Sequence, residues 1–216
     1  RLLGIFISLS LGLVFAQAQP ADREALWKEV ADAEKKGLPK TAAAKLQLIY
    51  DSAMQEGKHA EAIKALAKRI TNEGAVQGNK PEEKITRLQA ELEKTPDEAK
   101  PLLQTILGHW YWQYFRANRY RFLQRTATAQ PLGDDFTTWD LPRLYREIDL
   151  HFTNALADGR LKTIPTTDFG ELLTKPTLPE HYRPTLYDFI AHEALGFYSS
   201  GEFAAAKPED AFEVRA

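Results

Sequence analysis

His192-Glu193 opens the His-Glu-x-x-His arrangement of zinc peptidases, in which two histidines four apart share one helical face and one metal while the glutamate acts as base. Gly196 stands where the second histidine belongs. The pattern is broken, and a structural role is expected for the pair. His109, His151 and His181 lie in different segments and lack the local pairing that metal motifs show, so hydrogen-bonded or exposed histidines are expected in place of ligands. Asp134-Asp135 and Glu82-Glu83 are paired carboxylates. Acid and base catalysis needs two such groups facing each other across roughly 5–10 Å; neighbours in sequence read instead as a solvated loop and an acidic first helical turn. No cysteine is present, which excludes thiolate zinc sites and disulfides within this chain. Neither a glycine-rich phosphate loop nor a serine nucleophile elbow occurs. No catalytic, metal-binding or cofactor-binding residue is assigned, and no cofactor is expected.

The run His109-Trp110-Tyr111-Trp112-Gln113-Tyr114-Phe115 has aromatic faces suited to a sugar or peptide groove. At helical spacing successive residues point all around the axis, so most of the run reads as core. Trp112 falls off the main stripe. With Arg116 and Arg119, one turn and two turns further on, it makes the candidate interaction surface. Arg116, Arg119, Arg121 and Arg125 also bring positive charge to the carbonyl end of their helix, where the dipole favours it.

The elements that carry these residues read as helices. Asp22 caps a first helix to about Lys36, with Leu26, Val30 and Ala33 inward and Gly37 as its stop. Ala42, Leu46, Ile49, Tyr50 and Ala53, then Ile63, Leu66, Ala67 and Ile70, recur every three or four residues on either side of Gly57, which predicts two antiparallel helices over 39–72. Gly74, Gly78 and Asn79 read as a loop before a fourth helix that starts at Pro81 and carries Ile85, Leu88 and Leu92. The longest helix is predicted from Pro101 to Gln124, with Leu103, Ile106, Leu107, Trp110, Tyr111, Tyr114 and Asn118 along one face. A loop over 126–138 follows. Asp140 caps a helix to about Asp158 that turns Leu144, Ile148, Phe152 and Ala155 inward. Pro165, Pro176 and Pro179 leave room for a short helix near Asp168 to Leu173, and Thr185 with Asp188 forms a capping box for a last helix to about Ser199. No alternating strand pattern appears. The expectation is an all-α chain of about seven helices in antiparallel hairpins, in a tetratricopeptide-like or short α-solenoid arrangement.

An apolar run from Leu2 to Phe15 precedes Ala16-Gln17-Ala18, the small residues a signal peptidase accepts, so residues 1–18 read as a signal peptide with its start clipped. The run is shorter than the ~20 residues of a membrane span, and no retained span is expected. Residues 19–199 read as the helical domain, and 200–216, small and polar, as a linker toward further domains. A formal charge of −2 without long blocks of one sign gives no reason to expect nucleic acid as a partner.

Several segments in order, Lys36-Gly37-Leu38-Pro39-Lys40-Thr41-Ala42, Leu48-Ile49-Tyr50, Tyr111-Trp112-Gln113-Tyr114-Phe115, Thr138-Trp139-Asp140-Leu141 and above all Arg183-Pro184-Thr185-Leu186-Tyr187-Asp188-Phe189, resemble the amino-terminal helical region of large Bacteroidetes-type alpha-2-macroglobulin-like proteins. The resemblance covers roughly residues 24–199. It implies an exported periplasmic or outer-envelope chain in which a helical lead-in precedes many β-sandwich domains. It also implies that the full-length protein binds proteases or other envelope proteins. The reactive thioester of protease-trapping members needs a cysteine, so none of their inhibitory residues is carried onto this sequence. Two other classes fit the residues: a free-standing exported helical-repeat adaptor for a protein or peptide, and an exported glycan-binding helical protein using Trp110 and Trp112.

Overall fold

Local side-chain chemistry sets where the helices begin and end. The Asp22 carboxylate accepts from the backbone N–H groups of Glu24 and Ala25 and starts α1 (Arg23–Lys35). At its end Gly37 takes a φ of +67°. Leu38 N–H then bonds back to Ala33 O at 2.9 Å and Gly37 N–H to Glu34 O at 3.0 Å, the glycine-terminated closure that satisfies the last carbonyls. The same device recurs after α2 (Pro39–Gln55), where Gly57 has a φ of +68° and Lys58 N–H reaches Ala53 O at 2.8 Å. Both turns are tight, so α1, α2 and α3 (His59–Val76) lie against one another as successive antiparallel neighbours.

The structure is a computed structural model that describes residues 22–78, 80–124, 133–169 and 182–200. The expected signal peptide, the linker beyond residue 200, Arg125, His181, Pro176 and Pro179 lie outside the described residues. Beyond α3 come α4 (Pro81–Leu92), α5 (Lys100–Ala117), α6 (Arg119–Leu123), α7 (Leu141–Leu156) and α8 (Leu186–Tyr198), with short 3-10 turns at Phe136–Thr138, Gly159–Thr163 and Thr166–Phe169. The fold is all-α: among the described residues the only β-type pairing is one isolated bridge between Pro165 and Thr185. No described helix is long and apolar enough to cross a membrane.

Contacts far apart in sequence give the helix directions. Arg23 meets Glu61 and Glu34 meets Lys68, so α1 and α3 run parallel, both against α2. Glu73 meets Arg87 and Arg69 meets Glu91, which makes α3 and α4 antiparallel. Gln104 touches His151 while Phe115 packs edge-on against Tyr145 at 5.0 Å, so α5 and α7 are antiparallel as well. α8 lies beside both, with Phe197 against Trp112 of α5 and Tyr145 of α7.

Two apolar clusters result. A small one joins Leu26, Val30, Leu46, Ile49 and Ala65 of α1–α3. The large one begins on the opposite side of α3, at Ile63, Leu66 and Ile70, and continues through α4, α5, α7 and α8. Ala42 and Ala53 of α2 and Ala62 and Ala65 of α3 are all fully buried, small side chains that let these two helices approach closely.

The elements depart from the expectation at two places. Gly74 lies inside α3, which runs on to Val76, and the positive φ that ends it belongs to Gly78 at +94°. The predicted helix over 101–124 divides at Asn118, whose side-chain amide donates to Tyr114 O at 2.9 Å while its backbone N–H bonds to the same carbonyl at 3.0 Å. A polar side chain that competes for the backbone in this way loosens the helix locally.

Candidate functional site

The aromatic run on α5 is taken up largely by packing. Tyr111 and Tyr114 both meet Phe136 edge-on at about 5 Å. Trp112 is half-buried in the seam between α5, α7 and α8: it stacks on Phe115 at 5.5 Å and meets Phe197 at 5.3 Å and Tyr145 at 6.2 Å. Trp110 is half-buried too, with Lys84 Nζ 4.4 Å above its ring. Each indole thus has a ring face already occupied by a neighbour within the fold. Arg116 and Arg119 remain exposed, so the indole of the three residues joined by sequence reasoning faces inward while the two guanidiniums face water.

The broken peptidase pattern also separates. His192 is exposed on α8, whereas Glu193 turns toward α5 and comes within 3.6 Å of His109 Nδ1. Gln113, one turn along α5, bonds the other ring nitrogen of His109 at 2.7 Å. Among the described residues no three His, Asp or Glu side chains gather closely enough to hold a metal.

A second polar group is buried deep between α5 and α7. His151 is 5 % exposed. Its Nδ1–H donates to Gln104 Oε1, and its ring stacks on Tyr111 at 5.5 Å. That leaves Nε2 as an acceptor, 3.5 Å from the Glu147 carboxyl one turn back on α7. Burial pushes His151 down to about 4 and Glu147 upward, and each shift favours the uncharged form. The Tyr111 hydroxyl, buried beside them, finds no hydrogen-bond partner among the described residues. Groups with such shifts serve as acids and bases where a substrate can reach them. His151 sits inside the core, with the partly exposed Glu147 at its edge.

An open cleft lies elsewhere. About 1150 Å³ in volume, it is bordered by the first turns of α1 and α3, the turn between α2 and α3, and residues 164–169. Its wall is tied together by Arg23, which reaches Glu56 at 2.6 Å, Glu61 at 2.9 Å and Ser52 Oγ at 3.0 Å. Trp27 Nε1 donates to Glu61 at 2.8 Å, and Lys64 Nζ lies 4.8 Å from the indole centre. The hydrogen bond from Arg23 holds the Glu56 carboxyl below its ordinary range. Most charges here are already paired within the wall, which suits shape-based binding better than proton transfer.

Sequence reasoning did not find these groupings. Glu147 and His151 were readable as a pair four apart on one face, but Gln104 lies 47 residues from His151 and Trp27 lies 34 from Glu61. Only the fold brings them together. Comparison of the chain with protein-family models, with curated proteins and with solved structures finds no match.

Proposed function

We propose that this chain is a non-catalytic helical scaffold and docking domain, the amino-terminal part of an exported alpha-2-macroglobulin-like protein of the cell envelope whose full-length form binds proteases. The observation that carries the non-catalytic part is a mismatch of place. His151 and Glu147, whose burial favours their uncharged forms, lie between α5 and α7, whereas the cleft bordered by α1, α3 and residues 164–169 holds Arg23 and Glu56 as a charged pair. Catalysis requires proton-exchanging groups and a cleft to coincide. The macroglobulin part is supported by the resemblance of the segments from Lys36 to Phe189, and it carries the periplasmic or outer-envelope location with it.

The experiment is to read the gene beyond Ala216 and to mix the full-length product with a broad-specificity endopeptidase. β-Sandwich domains downstream and a complex that comigrates with the peptidase are the expected results. A stop codon at that point removes the macroglobulin reading and favours a free-standing peptide-binding adaptor, for which the cleft beside Trp27 is the supporting observation.

A further inference from the structure

His151 is satisfied on one side of its ring only. Gln104 Oε1 of α5 takes the Nδ1–H, which leaves the neutral ring with a bare lone pair on Nε2. That nitrogen is buried and receives no hydrogen bond among the described residues. Facing it is the Glu147 carboxyl, one turn back on α7, with Oε1 at 3.5 Å. Two bare acceptors in this position repel each other, and a hydrogen on either one turns the repulsion into a bond. A hydrogen on the ring would bury an imidazolium against the flat face of Tyr111. A hydrogen on the carboxyl leaves both partners uncharged, which a site of low polarity favours.

We propose that the Glu147 carboxyl keeps its hydrogen and donates it to His151 Nε2, completing a hydrogen-bonded chain from Glu147 through His151 to Gln104 that latches α7 to α5 and that solvent pH opens. Glu147 is the end that solvent can address: its side chain is 26 % exposed and that of His151 6 %. Protons reach the carboxyl from outside, and a small turn of its side chain closes the remaining distance to Nε2. Burial is the largest influence on Glu147 and favours the acid; Asp134, in the segment before α7, acts the same way, and Arg143, one turn back on α7, favours the carboxylate. From α5 the Tyr111 hydroxyl faces the pair, and burial keeps it protonated. The latch is closed while Glu147 is protonated and His151 is not. It is lost on the acid side as the ring takes up a proton near about 4. It is lost on the other side as the pH rises through the raised value of Glu147, when a carboxylate again faces a lone pair.

The test follows the full chain from mildly acid to mildly alkaline pH by heteronuclear NMR of isotope-labelled histidine rings and by amide hydrogen exchange. His151 is expected to carry its hydrogen on Nδ1, with an Nε2 resonance that shifts as Glu147 titrates. That shift is absent from Glu147→Gln, whose side-chain amide donates to Nε2 at every pH. Exchange of the amides at 104–111 and 144–151, corrected for intrinsic base catalysis, quickens severalfold through the same titration in the native chain. It stays flat in Glu147→Gln and is fast throughout in Glu147→Ala. A hydrogen found on Nε2 of the ring at neutral pH, an identical pH response in the native chain and Glu147→Gln, or native protection in Glu147→Ala would each overturn the proposal. Where Glu147→Ala does not fold, the ring resonances of the native chain and of Glu147→Gln decide it.

Discussion

His151 is the residue whose environment has the clearest thermodynamic consequence. In the unfolded chain it takes up a proton near its ordinary 6.5, whereas burial in the fold holds it down to about 4. Between those values the unfolded state binds the proton that the folded state refuses. Its contribution to stability is therefore complete above about 6.5 and is lost as the pH falls toward 4, on the order of 3 kcal/mol in all. Glu147, raised by burial, works in the opposite sense, losing stability as the pH rises through its shifted value, but it is present in both proteins of a comparison. Urea midpoints at pH 7 and at pH 4.5 should fall more steeply in the native chain than in His151→Gln. Equal falls would mean that the imidazole does not control acid sensitivity. The sequence showed His151 only as one scattered histidine. Its burial depends on Gln104 and Tyr111 from another helix, a relation that no local spacing encodes.

At the scale of the element, glycines separate what a helix wants from what its neighbours allow. Gly108 lies in α5 where an added Cβ would come within 3.2 Å of the Phe152 ring. That ring is itself buried and packed against Phe197, so it has little room to yield. Gly108→Ala gains about 1 kcal/mol of helix propensity and loses about 1–3 kcal/mol to overpacking, and a lowered melting temperature is expected. Gly74 in α3 and Gly196 in α8 have nothing within 4 Å of the same position. Alanine at either should raise stability by about 0.5–1 kcal/mol, measured by denaturant unfolding; a loss at either site would show a contact that the packing argument lacks. Helix starts were legible because they are local: Asp22, Asp140 and the reciprocal Thr185–Asp188 box cap the helices that their spacing predicted. Interior features were less so. Gly74 reads as a breaker by composition, yet α3 continues past it, while the division at Asn118 has no glycine or proline to announce it.

For the whole molecule, the decisive feature is that α3 belongs to both apolar clusters, giving Ala65 to the small one and Ile63, Leu66 and Ile70 to the large one. The apolar periodicity predicted the helices and most of their inward residues, but not this division, because a stripe says which face is buried and not against what. α1 is held mainly by α2 and by ion pairs of partly exposed side chains to α3, which contribute little individually. Its backbone amides should therefore exchange with solvent faster than those of α5 and α7, which share the aromatic interior. Leu46, fully buried in the small cluster, offers the test of how far the two clusters are coupled. Leu46→Ala should cost about 2–5 kcal/mol. Because α3 bridges the clusters, part of that loss should reach the rest of the molecule: exchange should quicken most in α1 and α2, next in α3, and least in α7 and α8. Uniform acceleration in every helix would mean that the chain opens only as one unit, and unchanged exchange in α1 would mean that the small cluster does not hold it.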